Sequence, residues 1–197
     1  SLLFQQKRGN WIRLRTLILL RWIAIAGQLA AIFTAIQFYN LQLELGLCLF
    51  AIGVSIAGNL LAMFSFPETK RLSEFENMMM ILFDLLQLSF LLFLTGGLHN
   101  PFIILLLAPV AVAANVLQLG SNLVLGAIAI ALVSILAVYH LPLHTDQGLI
   151  LRIPDIFVFG NWAAMVIALV FLSIYSRRVN NEMNSMGEAV VATQMAL

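Results

Sequence analysis

Six times in 197 residues this sequence returns to an apolar run about twenty residues long. The runs fall at about 15–36, 43–64, 77–95, 101–118, 121–140 and 157–176. At ~1.5 Å rise per residue, each is long enough to cross ~30 Å of hydrocarbon. Charged residues make up only 10% of the chain, against about 25% in a soluble domain whose surface must be hydrated. The fold class is therefore an all-α membrane protein, a six-transmembrane-helix bundle with a C-terminal, coiled-coil-like helical extension. Residues 1–178 form the membrane domain and 179–197 the extension.

Lysine and arginine set the orientation. Lys7, Arg8, Arg13, Arg15 and Arg21 precede or open the first span, Lys70 and Arg71 lie between the second and third, and Arg177 and Arg178 follow the sixth. If the spans alternate, these nine fall on one side and Arg152 alone on the other, which puts both termini in the cytoplasm. Trp11, Trp22, Tyr139, Trp162 and Tyr175 lie near span ends, as an interfacial aromatic belt requires. No small-residue cleavage site follows the first run, so it reads as a retained anchor. The single cysteine, Cys48, lies inside a span, which excludes a disulfide framework within the chain. No basic stripe with interleaved aromatics points to nucleic acid.

Beyond the sixth span, Val179, Met183, Met186, Val190, Thr193 and Leu197 are spaced 4, 3, 4, 3, 4, an a/d seam. The plain reading is a frayed helical tail. The sharper one is a continuation of the sixth helix that pairs with its twin in a homodimer. A seam that stops in mid-pattern leads to the expectation of a further cytoplasmic domain.

Ionisable groups inside a span are costly and are functional candidates by default. Here they are Arg21 and Asp84, each about two turns from the cytoplasmic end. Asn59 and Asn115 fall in the same half, which predicts an intramembrane polar layer of Arg21, Asn59, Asp84 and Asn115 with an Arg21–Asp84 pair. The competing arrangement has Arg21 snorkelling to the interface, and a proton relay through Asp84 is a third reading. His99, His140 and His144 all lie in loops or at span ends. No histidine pair therefore faces inward to hold haem, and no metal site is expected.

The segment Gly96-Gly97-Leu98-His99-Asn100-Pro101-Phe102 is the most informative. Much of it is explained as a tight helical hairpin. A glycine can take the left-handed conformation that ends the third helix, while Asn100 caps the fourth and Pro101 suits its first turn. His99 and Phe102 are left over. A glycine pair also admits a flat ring close to the backbone, an aromatic side chain can stack on it, and Asn100, His99 and free amides can donate to ring carbonyls. A quinone headgroup fits that description.

The same seven residues resemble the GGxxNPF heptapeptide of the RegB/PrrB/ActS family of redox-responsive sensor histidine kinases. Two further stretches are similar to that family: Ile12 to Trp22 with Ala26-Gly27-Gln28 after it, and Ala192-Thr193-Gln194-Met195-Ala196-Leu197. The resemblance implies a multi-pass protein of the bacterial inner membrane that binds ubiquinone through Gly96, Gly97, Asn100, Pro101 and Phe102. His99 stands at a variable position of the heptapeptide and is added on its chemistry alone. By the same resemblance, quinone redox state controls autophosphorylation of a cytoplasmic histidine, and the intact dimer phosphorylates a response regulator. The phosphoacceptor histidine and the ATP-binding boxes do not occur in these 197 residues, so the chain by itself is not expected to be a kinase.

The implied mechanism is differential binding. Carbonyl acceptors become hydroxyl donors on reduction, so a site fixed on Asn100 and neighbouring amides can distinguish the two forms. A coupling of ~1–3 kcal/mol is sufficient to shift the bundle and its sixth helix, and Pro109 offers a kink through which the hairpin can move. Two rivals from other classes are a small membrane transporter, which calls for broken helices at the midplane, and a membrane quinone oxidoreductase, which needs a second redox centre.

Overall fold

The protein is described here by a computed structural model covering residues 14–67 and 70–196. Lys7, Arg8, Trp11, Arg13 and Leu197, on which part of the orientation and seam readings rest, lie outside the described residues. Among the described residues, six α-helices follow one another: α1 (Leu14–Gln37), α2 (Leu45–Ser65), α3 (Glu74–Leu94), α4 (Leu107–Val116), α5 (Leu119–Val138) and α6 (Asp155–Met195). Five of them, all but α4, contain a stretch long and apolar enough to cross a membrane.

The fourth apolar segment departs from one regular helix over 101–118. It opens as a 3-10 helix, Pro101–Leu106, becomes α-helical at Leu107 and ends at Val116. Pro109 supplies a reason. It has no N–H to return to the Leu105 carbonyl, so α-helical winding cannot run back unbroken through that turn. The 3-10 winding rises ~2.0 Å per residue against ~1.5 Å, so this short segment still reaches roughly 27 Å.

The other boundaries also have local causes. α3 begins at Glu74 rather than at 77 because Ser73 forms a capping box, its Oγ accepting from the Glu76 N–H while its own N–H donates to Glu76 Oε2. Only two residues separate α4 from α5, and Glu74 at the start of α3 accepts from the Gln118 N–H at 2.8 Å. α6 runs unbroken for 41 residues, roughly 60 Å at helical rise. Met183, Met186 and Val190 on its distal part are exposed.

α3 is the central helix. It packs against α2, α4 and α5; α6 lies on α4 and α5, and α1 lies on α2. The larger core joins Leu85 and Leu92 of α3 to Val110, Val133 and Leu169. A second core around Ile25, Cys48, Ile52 and Leu91 holds the α1–α2 pair against α3.

The connection at 141–156 contains a β-hairpin. Strands β1 (Leu41–Gln42), β2 (Leu143–Thr145) and β3 (Ile150–Leu151) form an antiparallel sheet in that order, with Leu41 opposite Thr145 and His144 opposite Ile150. Gly148, at φ +78°, makes the turn. This small cap ties the α1–α2 connection to the α5–α6 connection, at the end of the bundle where the heptapeptide lies.

Candidate functional site

The heptapeptide is built by local hydrogen bonding. Thr95 ends α3 by donating its hydroxyl to the Leu91 carbonyl at 2.8 Å. Gly96 and Gly97 then take φ of +96° and +55°, the region open to glycine. The backbone winds through one 3-10 turn, Gly97–His99, in which Asn100 N–H donates to the Gly97 carbonyl. Asn100 closes the hairpin from both sides: Oδ1 accepts from the Phe102 N–H at 2.9 Å, and Nδ2 donates to Thr95 Oγ1 at 3.0 Å. Pro101 occupies the first position of the helix that follows.

Beside this hairpin lies a cavity of about 860 Å³, within the size range of small-molecule sites. One wall is α1, where Gly27, Ala30, Ala31 and Ala35 leave room because their side chains are small. The opposite wall is α3 from Leu88 to Thr95, with His99, Asn100, Pro101 and Phe102. Leu143, Leu151, Arg152 and Ile153 of the cap complete it. The structure thus brings four of the predicted binding residues to one cavity. Gly96 and Gly97 face elsewhere. A Cβ on Gly97 would collide with the Leu136 carbonyl of α5, and one on Gly96 would lie 2.9 Å from Leu143 Cδ1. On the side where a Cβ would lie, both glycines are covered by protein.

His99 is held from two sides. Its Nδ1 accepts the Ile153 N–H at 3.0 Å, and its ring meets His140 edge to face at 4.9 Å between centroids. Burial, then the nearby His140 and Arg152, lower its pKa, with Asp155 acting the other way. The ring is therefore neutral near pH 7, and because Nδ1 accepts, the proton resides on Nε2.

Sequence reasoning missed the other end of the cavity. Gln28 and Gln87 form a reciprocal amide pair, each Nε2 donating to the other's Oε1 at 3.2 and 3.0 Å, and Gln87 also donates to the Ala51 carbonyl. Gln28 is almost buried and contributes to the cavity wall. The signal was available: Gln28 lies seven residues after Arg21 and Gln87 three after Asp84, so each shares a helix face with an ionisable group.

Of the predicted polar layer, Arg21 and Asp84 meet, with Nε donating to Oδ1 at 2.7 Å. The Arg21 side chain is 5% exposed and that of Asp84 35%. The guanidinium also stands over the Phe83 ring, 5.2 Å from its centroid. Asn59 donates to the Ile18 carbonyl of α1, one turn before Arg21. Asn115 lies on an exposed face of α4, where its Nδ2 donates to the Ala111 carbonyl.

All 197 residues align with a sensor histidine kinase RegB of Cereibacter sphaeroides at 53% identity. A second RegB from that species matches over the same length at 54%. The chain spans 43% of the length of each of these relatives. No family model matches it. No solved structure matches it either.

Proposed function

From the homology of the whole chain to the RegB sensor histidine kinases, we infer that it is the redox-sensing membrane part of such a kinase and binds ubiquinone in the cavity beside the heptapeptide. The observation that carries this reading is the convergence of His99, Asn100, Pro101 and Phe102 on one cavity with Gln28, Thr95 and Arg152. The cavity is apolar along its α1 and α3 walls and polar at its ends, which suits a ring with carbonyl oxygens on an isoprenoid tail. Phe102, 48% exposed, offers a ring face for stacking.

In the same proposal Pro101–Val116 completes six spans in a bacterial inner membrane, with the arginine-rich ends in the cytoplasm. Ligand redox state is passed through α6, which starts two residues after Ile153 of the cavity wall. The exposed seam of Met183, Met186 and Val190 pairs with a second copy, and the kinase part of the intact protein transfers phosphate to a response regulator.

A titration of the purified chain in lipid nanodiscs with short-tailed ubiquinone, oxidised and reduced, tests the site. Saturable binding is expected, weakened roughly 3- to 10-fold by Phe102→Ala, the equivalent of one aromatic stacking contact. Gln28→Leu is expected to weaken it by a similar factor. Equal, non-saturating partitioning into discs carrying wild type and either variant would sink the reading.

A further inference from the structure

We infer that His99 is a proton-sensitive tie between the cavity wall and the start of α6. It deepens the proposed function by naming how the cavity and the long helix are coupled, and only its second test rests on that reading. The same ring is part of the cavity lining and accepts a hydrogen bond from Ile153, two residues before α6 begins. Only Pro154, which has no N–H of its own, stands between. A displacement of the ring is therefore felt at once by the first turn of a helix 41 residues long.

The tie depends on charge. Nδ1 can accept only while it carries no proton; in the imidazolium both ring nitrogens are donors, and Nδ1–H would face the Ile153 N–H. Among the described residues, the charged and titratable groups around the ring are His140 just after α5, Arg152 in the cap and Asp155 at the start of α6. Arg152 and Asp155 pair with each other at 2.7 Å, and His140 abuts the ring. A further positive charge on His99 is thus opposed by Arg152 and by any charge on His140. Since its folded pKa lies below the ordinary value of 6.5, the tie is fully made above that value. It is lost as pH falls through the lowered one.

Hydrogen exchange of the whole chain in nanodiscs, corrected for intrinsic rates and read at the peptide spanning 151–158, tests this. Between about pH 8 and about pH 5, the Ile153 amide of wild type is expected to lose protection by roughly 3- to 10-fold, the value of one hydrogen bond. His99→Asn places an oxygen near the position of Nδ1 and cannot titrate there, so it is expected to hold protection across that range. His99→Leu is expected to lack protection throughout, and His140→Asn to keep the transition. No transition in wild type, or one that survives in His99→Asn, overturns the inference. In the second test, saturating oxidised ubiquinone at about pH 8 is expected to change exchange at this peptide in wild type and not in His99→Leu. Quinone that binds without moving the peptide overturns the coupling. Failure of quinone to bind, with the pH transition present, overturns the site reading and leaves the tie standing.

Discussion

Leucine in place of Asp84 is expected to cost the folded bundle about 3–5 kcal/mol, the range for leaving a buried charge without its partner. The Arg21 side chain is almost wholly enclosed, and its neighbours are the Asp84 carboxylate, the Phe83 ring and the glycine face of α2 at Gly58. Removing the carboxylate takes away the anion that neutralises Arg21 and leaves the enclosed guanidinium over the Phe83 ring. Arg21→Leu alone is expected to be damaging for the converse reason. Leucine at both positions exchanges the pair for apolar packing, which is often close to neutral. Equilibrium unfolding of the four proteins in mixed micelles closes the cycle. With the double variant near neutral, the coupling is expected to be at least as large as the roughly 3–5 kcal/mol cost of Asp84→Leu alone; single effects that simply add would show that the pair contributes nothing beyond its parts. Asp84→Asn, which keeps an acceptor for Arg21 Nε, should fall between wild type and leucine. If instead Asp84→Asn folds as wild type does and changes a pH response, Asp84 has a relay role.

The helices were legible because their signal is compositional: a run of apolar residues long enough for a bilayer needs no partner to be recognised. Their ends depend on single hydrogen bonds, and some were missed. The Ser73–Glu76 capping box, which starts α3 three residues earlier than hydropathy suggested, is itself a sequence pattern. The switch from 3-10 to α winding before Pro109 was half-visible, since proline was read as a kink but not as the cause of a longer rise per residue. The β cap was invisible for a physical reason. Strands of two or three residues are too short to display alternation, and they exist because two distant connections meet at one end of the bundle.

The hairpin was legible in its capping chemistry, and the cavity beside it was not. Asn100 was predicted as a cap, and it is one; its Oδ1 and one Nδ2 proton are engaged within the hairpin, leaving it less free to bind a ligand than its side chain suggests. The cavity itself could not be read from the heptapeptide, because one of its walls is the small-residue face of α1. Gln28 and Gln87 could have been found by extending the search for polar residues along the helix faces of Arg21 and Asp84 rather than stopping at ionisable groups.

Among the hairpin and cap glycines, Gly97→Ala is expected to be the most damaging substitution, and the order Gly97, Gly96, Gly148 follows from space as well as from backbone angle. All three have positive φ, so alanine at any of them carries a strain of about 1–2 kcal/mol. What a new methyl group meets differs. At Gly148 there is open space, and strain is the whole effect. At Gly96 the methyl group meets Leu143 Cδ1, the end of a side chain that can rotate, so Leu143→Ala should recover part of the loss. At Gly97 it meets the Leu136 carbonyl on the backbone of α5 and the Cβ and ring of His140; none of these can yield without moving the last turn of that helix. Overpacking of that kind adds about 1–3 kcal/mol, for a total of roughly 2–5 kcal/mol. The movement that relieves it separates the 3-10 turn from α5, drawing His99 away from His140 and from the Ile153 amide. Gly97→Ala should therefore lose protection at the start of α6 even at about pH 8, where the neutral His99 of wild type holds it. Unfolding midpoints and exchange at 151–158, measured on the same three alanine variants, check the order and the coupling together. Equal effects at Gly97 and Gly148 would show that backbone strain alone fixes this pair of glycines, and that the fit against α5 contributes nothing.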